Sequence, residues 1–176
     1  RYEGDEVAVV AADTIYQAWD AVRAIKVVYD VLPHVTSVEE ALKPNAPEAR
    51  EGGNRVPPGK PYLRGDVEAA FKTADVVVDQ ICATPFELHN PMEPHGSVAK
   101  WDGPRLTVWD STQGVYAVQT GVARALNLPL ANVRVIGHYM GGGFGSKLET
   151  GKYSVMAALL AKKSGRPVRL FLSREQ

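Results

Sequence analysis

Apolar and polar positions alternate along the chain with periods near two and near three and a half, and the switches between them mark its elements. A nearly continuous apolar run at residues 6–12 (Val7-Ala-Val-Val-Ala11) predicts a short strand. Asp13-Thr14 then supplies a helix cap, and apolar residues at Ala18, Ala21 and Val22 predict a helix over 15–24. Residues 25–31 return to β-branched character before Leu32-Pro33, which completes a β-α-β pattern. Ser37 followed by Glu40 is a capping box and opens a short helix over 38–42. A helix over 67–73 and a buried strand over 76–83 follow. Residues 96–101 and 106–109 read as a hairpin around Asp102-Gly103. Ser111 and Thr112 are placed to cap a helix over 115–126, and 133–137 reads as a strand. A helix over 153–163 stops at Ser164-Gly165, and 168–172 is the last strand.

Two stretches break this pattern. Between Lys43 and Arg64 lie five of the twelve prolines and the pair Gly52-Gly53, with few large apolar residues, the composition of a connector. From Thr84 to His95 three prolines forbid a helix and disfavour a central strand, yet Glu87, His89, Asn90, Glu93 and His95 crowd together. This segment reads as a rigid loop carrying side-chain chemistry.

Composition narrows the class. The chain has 176 residues, of which 45% are hydrophobic and 23% charged, so it can bury a core of one domain or two small ones. Twenty basic and twenty acidic residues cancel, which gives no basic stripe for nucleic acid and no charged block for an anionic membrane. The apolar runs are too short for a membrane helix. A single cysteine, Cys82, excludes an internal disulfide and a CxxC site, and its apolar surroundings predict a buried, inert thiol. The chain begins without Met and stops as a strand finishes, the expectation for a piece of something longer.

The stretch Met140-Gly-Gly-Gly-Phe-Gly-Ser-Lys147 organises the rest. A turn needs one or two glycines. Four around one aromatic ring predict a loop whose amide N–H groups converge on a ligand atom. His89, Glu93 and His95 could suggest a metal, but they lack the helical spacing, and hydrogen bonds holding the loop to its neighbours are the expected use. No Gly-x-Ser-x-Gly elbow occurs. Strand, glycine loop, helix and strand imitate half of a Rossmann fold, although Ser146 replaces the third glycine and His138-Tyr-Met140 separates strand from loop. A P-loop fails because Ser146 separates Gly145 from Lys147 and Leu148 stands where Ser or Thr should be.

In order, Asn90-Pro-Met-Glu-Pro-His95, Leu106-Thr-Val-Trp-Asp-Ser-Thr-Gln113 and Met140–Lys147 resemble the molybdenum-binding large subunit of the xanthine dehydrogenase and aldehyde oxidase family. Tyr2-Glu-Gly-Asp-Glu-Val-Ala8 and Val27-Val-Tyr-Asp-Val-Leu-Pro33 resemble the end of its α/β hammerhead domain. The resemblance implies an α+β chain: residues 1–43 as the end of the hammerhead, 44–65 as linker, and 66–176 as the first part of a mixed-sheet molybdopterin-binding domain. It implies a molybdenum cofactor on a molybdopterin, in simple or cytosine dinucleotide form, and few or no direct protein ligands to the metal. By the same match Gly142, Gly143, Phe144 and Gly145 contact cofactor, while Phe144, Leu148 and Glu87 line the substrate pocket. Leu148 stands where the xanthine enzymes carry a substrate-binding Glu, which favours an aldehyde or aromatic substrate over a purine.

The family's reaction is hydroxylation with water-derived oxygen, and its electrons leave through Fe-S clusters to FAD on partner subunits or domains. Its general-base Glu belongs to a downstream segment, so the resemblance implies a piece that is inactive alone and sits with the rest of the large subunit. The setting it implies is the cytoplasm, with the periplasm as the alternative. Two other readings stay open from the residues: a Rossmann-like nucleotide-dependent oxidoreductase, and a non-catalytic binding or assembly module.

Overall fold

The computed structural model describes residues 4–175. The chain forms two compact units, one of residues 27–86 and one that joins 4–26 to 87–175.

In the first unit, helices α2 (Val38–Ala41) and α3 (Val67–Thr73) form where their caps predict, with Ser37 and Asp66 accepting hydrogen bonds from the amides of Glu40 and Ala69. The Pro- and Gly-rich stretch is folded around Asn54. The Asn54 side chain accepts from the amide of Ala49 at 2.7 Å and donates to the carbonyls of Ala41 and Pro47, both at 3.0 Å. The predicted strand at 76–83 does not form; its apolar side chains are exposed, Ile81 by 98%, and Cys82 is exposed as well. A strand needs a neighbour for its backbone groups, and none of the described residues supplies one.

The second unit holds helix α1 (Ile15–Ala24), closed by a full capping box between Thr14 and Gln17. The strands predicted at 6–12 and 25–31 are absent for the same lack of a ladder partner, so the β-α-β pattern reduces to its helix. The remainder is a mixed sheet of β1 (Gly96–Asp102), β2 (Arg105–Asp110), β3 (Val133–Ile136) and β4 (Val168–Phe171), in the order β3-β2-β1-β4. The hairpin forms as predicted: β1 and β2 pair antiparallel from Ser97↔Asp110 to Asp102↔Arg105, and Gly103 turns the chain at φ +53°. β3 joins β2 in parallel, and β4 joins β1 antiparallel.

Helices α4 (Val115–Ala125) and α5 (Lys152–Ser164) cover one face. Ala99, Leu106 and Val108 from the sheet meet Val118 and Val122 of α4 and Ala157, Ala158 and Ala161 of α5 in the core. The small residues at helical spacing let α5 lie close to the strands, and Trp101 fixes it by donating from Nε1 to the carbonyl of Ala158 at 2.8 Å. Gln119 ties α4 to β3 through the carbonyl of Val133, at 2.7 Å.

Candidate functional site

Strand direction gathers the unusual loops. Because β1 runs against both β2 and β4, and β3 runs with β2, the start of β1 lies beside the ends of the other three. Residues 87–95, Ser111–Gln113, the glycine loop and Leu172–Arg174 therefore emerge at one end of the sheet. Hydrogen bonds stitch that end together. The amide of Ser111 donates to the Gly96 carbonyl, that of Leu172 to the His95 carbonyl, and Arg174 donates to the Pro91 carbonyl at 2.6 Å.

Lys147 is the centre of this arrangement. Its side chain is wholly buried, and the three N–H groups of an ammonium have three acceptors: the Glu93 carbonyl at 2.8 Å, Glu93 Oε2 at 3.3 Å and Ser111 Oγ at 2.6 Å. Ser111 passes its own hydrogen to Glu93 Oε2 at 2.6 Å, and the same oxygen accepts from the amide of Gly141 at 2.7 Å. A buried cation is tolerated only with such complete pairing. Burial pushes the Glu93 carboxyl upward, but the hydrogen bonds from Ser111, Gly141 and Lys147, with the charge of Lys147, outweigh it and hold the group below its ordinary range.

Gln113 holds the other end of the loop. Its Oε1 accepts from the amides of Gly145 at 2.8 Å and Lys147 at 3.3 Å, while its own amide and the Thr112 hydroxyl donate to the Lys147 carbonyl. Two glycines make room. A Cβ on Gly141 would stand 2.6 Å from Glu93 Cβ, and one on Gly143 would stand 2.4 Å from Gln113 Oε1. Between the two anchor points Phe144 takes φ +49°, a left-handed conformation that is uncommon for a bulky side chain. The amides of Gly142, Gly143 and Phe144 have no hydrogen-bond partner among the described residues.

Beneath the loop sits a second polar group. Asp110 and Ser97 face each other across the β1–β2 ladder, both buried, and Asp110 Oδ2 accepts from the Ser154 hydroxyl at 2.5 Å. Asp110 Oδ1 and Ser97 Oγ have no partner among the described residues. Burial raises the Asp110 carboxyl to about 6, partly countered by Ser154 and the charge of Lys147. Burial likewise holds the Tyr153 phenol above its ordinary value, and its ring meets that of His95 edge-on.

The structure sorts the expected site residues. Gly142 is half-buried and Gly143 buried; Phe144 is 72% exposed, and the amide of Gly145 is taken up by Gln113. Leu148 is half-exposed just beyond Lys147, whereas Glu87 is exposed and makes no hydrogen bond or ion pair among the described residues. His95 reaches the Ser146 carbonyl at 3.3 Å. Glu93 and His95 are thus engaged by protein partners. Ser111 and Thr112, expected to cap α4, instead serve the glycine loop, and the helix starts at Gly114 with no side-chain cap. Sequence reasoning misses the roles of Lys147, Ser111 and Gln113. The available signal is a run of three polar side chains where an apolar strand ends.

The Rossmann-like reading fails on topology. α5 begins at Lys152, well past the glycines, and β4 pairs with β1 rather than alongside β3. The helix N-terminus is not offered to the loop as dinucleotide binding requires.

The profile of the molybdopterin cofactor-binding domain matches residues 50–176. This chain belongs to that family, the molybdenum-binding subunits of the xanthine dehydrogenase and aldehyde oxidoreductase type. It is 36% identical over 96% of its length to the aldehyde oxidoreductase molybdenum-binding subunit PaoC of Escherichia coli K12, and covers 22% of that protein. To the xanthine dehydrogenase molybdenum-binding subunit of Escherichia coli O157:H7 it is 35% identical over 100% of this chain, covering 23% of that relative. Among solved structures, quinoline 2-oxidoreductase from Pseudomonas putida 86 superposes with a TM-score of 0.82 at 30% identity, over 93% of this chain and 21% of that one. The chain thus spans about a quarter or less of the length of these molybdenum-family relatives.

The loop fits a molybdopterin group on its own geometry. Three unpartnered amide donors lie in a cradle where Cβ atoms at Gly141 and Gly143 would collide with Glu93 and Gln113. Such donors suit the anionic oxygen and sulfur atoms of the cofactor.

Proposed function

We propose that this chain is a segment of the large subunit of a molybdenum hydroxylase, and that its glycine loop forms one wall of the cofactor chamber. The observation that carries the reading is the set of free amides at Gly142, Gly143 and Phe144, held between two anchored loop ends. When bound, the cofactor supplies two-electron hydroxylation of an activated carbon with oxygen from water. The chain's own part is to bind and orient. Gly142, Gly143 and Phe144 donate N–H groups to the cofactor, and these donors, already fixed in place, need little rearrangement as charge develops. Gly145 acts through its bond to Gln113, which shapes the loop. The exposed Phe144 ring and Leu148 present apolar surface to a substrate, in keeping with an aldehyde or aromatic compound. Glu87 is assigned to the same pocket on this reading.

In the full-length protein we take residues 1–43 as the end of a hammerhead domain, 44–65 as its connector and 66–176 as the opening of the cofactor domain. The general base and the Fe-S and FAD groups lie outside this chain, on the rest of the large subunit or on partners. No helix among the described residues is long and apolar enough to cross a membrane, and a cytoplasmic enzyme is the reading we adopt.

Metal and pterin analysis of the purified full-length protein tests the proposal. Molybdenum and a pterin in near-equal amounts are expected. Their absence from protein produced in a cofactor-competent host would overturn it.

A further inference from the structure

Alternate glycines of the loop each make room for one polar side chain. Where a Cβ would stand at Gly141 lies Glu93, at Gly143 lies Gln113, and beside Gly145 lies the imidazole of His89, with Nε2 at 3.6 Å and Cδ2 at 3.9 Å. The first two hydrogen-bond the loop's own amides. His89 does not: it is exposed and makes no hydrogen bond or ion pair among the described residues. In either tautomer one of its ring nitrogens donates, so the loop carries beside Gly145 a donor that the fold leaves unused. The backbone on this side is nevertheless held. Asn90 takes φ +44°, a left-handed conformation, and turns the chain between His89 and Pro91. Beyond that turn the Pro91 carbonyl accepts from Arg174, and Glu93 is bonded to Gly141 in both directions, amide to carbonyl at 3.1 Å and Oε2 from the amide at 2.7 Å. Backbone strain kept in so firmly tied a segment suits a side chain aimed at a ligand.

We propose that His89 is a substrate-binding residue, its imidazole N–H donating to the oxygen of a compound whose apolar body lies against Phe144 and Pro91. The Phe144 ring and Pro91 Cβ both come within 3.2–3.5 Å of the Cβ position at Gly142, so an apolar wall stands on one side of the loop tip and the imidazole on the other. A pocket of apolar surface with one placed polar group orients a ligand by that group. Within the substrates already proposed, this favours an aromatic aldehyde: its ring meets the apolar wall and its carbonyl oxygen meets His89. The carboxylate that such an aldehyde becomes on oxidation accepts from the same donor more strongly, because the acceptor is then charged. This role rests on the molybdenum hydroxylase reading and names the substrate group that the site holds.

Two substitutions in the full-length protein separate the donor from the ring. His89→Phe keeps a flat ring and removes the N–H; His89→Gln keeps an N–H donor of similar reach. Three quantities are measured: molybdenum and pterin per chain, the dissociation constant of benzoate by calorimetry, and KM and kcat for benzaldehyde with a dye acceptor. In the Phe variant the benzoate constant is expected to rise about tenfold or more and KM for benzaldehyde several-fold, with kcat within about threefold of the parent. The Gln variant should keep the benzoate constant within about threefold of the parent. Cofactor content should be the same in all three proteins. Unchanged benzoate binding in the Phe variant, equal losses in both variants, a fall in cofactor content in either, or no saturable benzoate binding to the molybdenum-loaded parent overturns the assignment of His89. Absence of molybdenum and pterin from the parent itself would instead bring down the proposed function, so the two failures are told apart.

Discussion

Glu93, Gln113 and Lys147 hold the glycine loop in shape. Lys147 is the most consequential, since its side chain is wholly buried and every hydrogen of its ammonium is used. Replacing it with Met removes the charge, takes the cationic partner from Glu93 Oε2 and leaves the Glu93 carbonyl without its donor. Lys147→Met is expected to lower stability by about 3 kcal/mol, read from denaturant unfolding of the full-length protein, and to be partly rescued by Glu93→Gln in the same chain. Phe144 should behave in the opposite way. Its ring is largely exposed, so Phe144→Ala is expected to change stability by less than about 1 kcal/mol while raising KM for substrate several-fold with little effect on kcat. Asp110 gives a pH signature. Its folded value of about 6 exceeds the ordinary 3.8, so between those values the folded state binds more protons than the unfolded one, and stability falls as pH rises through that window. Asp110→Asn should flatten this slope and raise stability at pH 7 by about 2 kcal/mol, because a neutral amide there need not be desolvated as an anion and can offer hydrogens toward Ser97. Glu93 contributes with the reverse sign. Its lowered carboxyl stabilises the fold above the ordinary carboxylate range, and that stabilisation is lost as pH falls through the folded value.

At the scale of elements, periodicity is a good guide wherever an element finds its partner within the chain. The β1–β2 hairpin alternates inward Ser97, Ala99, Leu106 and Val108 with outward residues, and α4 and α5 place buried residues three and four apart, so both patterns survive folding. The runs at 6–12, 25–31 and 76–83 have the same apolar character but no neighbouring strand among the described residues, and composition alone does not reveal whether a ladder is available. The glycine loop is legible as a ligand loop from its excess of glycine. The residues that hold it are not, because Glu93, Ser111 and Gln113 are distant in sequence from the loop and meet it only once the strand directions are set. One element-level contact can be checked directly. Trp101→Phe removes the bond to the Ala158 carbonyl and weakens the stacking of Lys162 over the indole, and should lower stability by about 1 kcal/mol.

For the molecule as a whole, the chain forms two compact units, and the loop cluster gathers within the one that includes residues 87–175. The relatives are several times longer, and the exposed Val76, Val78 and Ile81 offer an apolar edge that added chain can cover. Amides at 76–83 are therefore expected to be protected from hydrogen exchange in the full-length protein and to exchange freely in the 176-residue segment. Equal exchange in both would show that this run stays uncovered. The buried ammonium of Lys147 also limits how the glycine loop can vary. Anchors at Gly141 and Lys147 fix its span, and removing or adding one residue would displace one anchor by up to about 3.5 Å, more than any of its hydrogen bonds can stretch. The exposed Phe144 side chain can be exchanged without disturbing the fold, but insertions and deletions cannot be absorbed, so the length of this loop should be far less variable than its exposure would suggest.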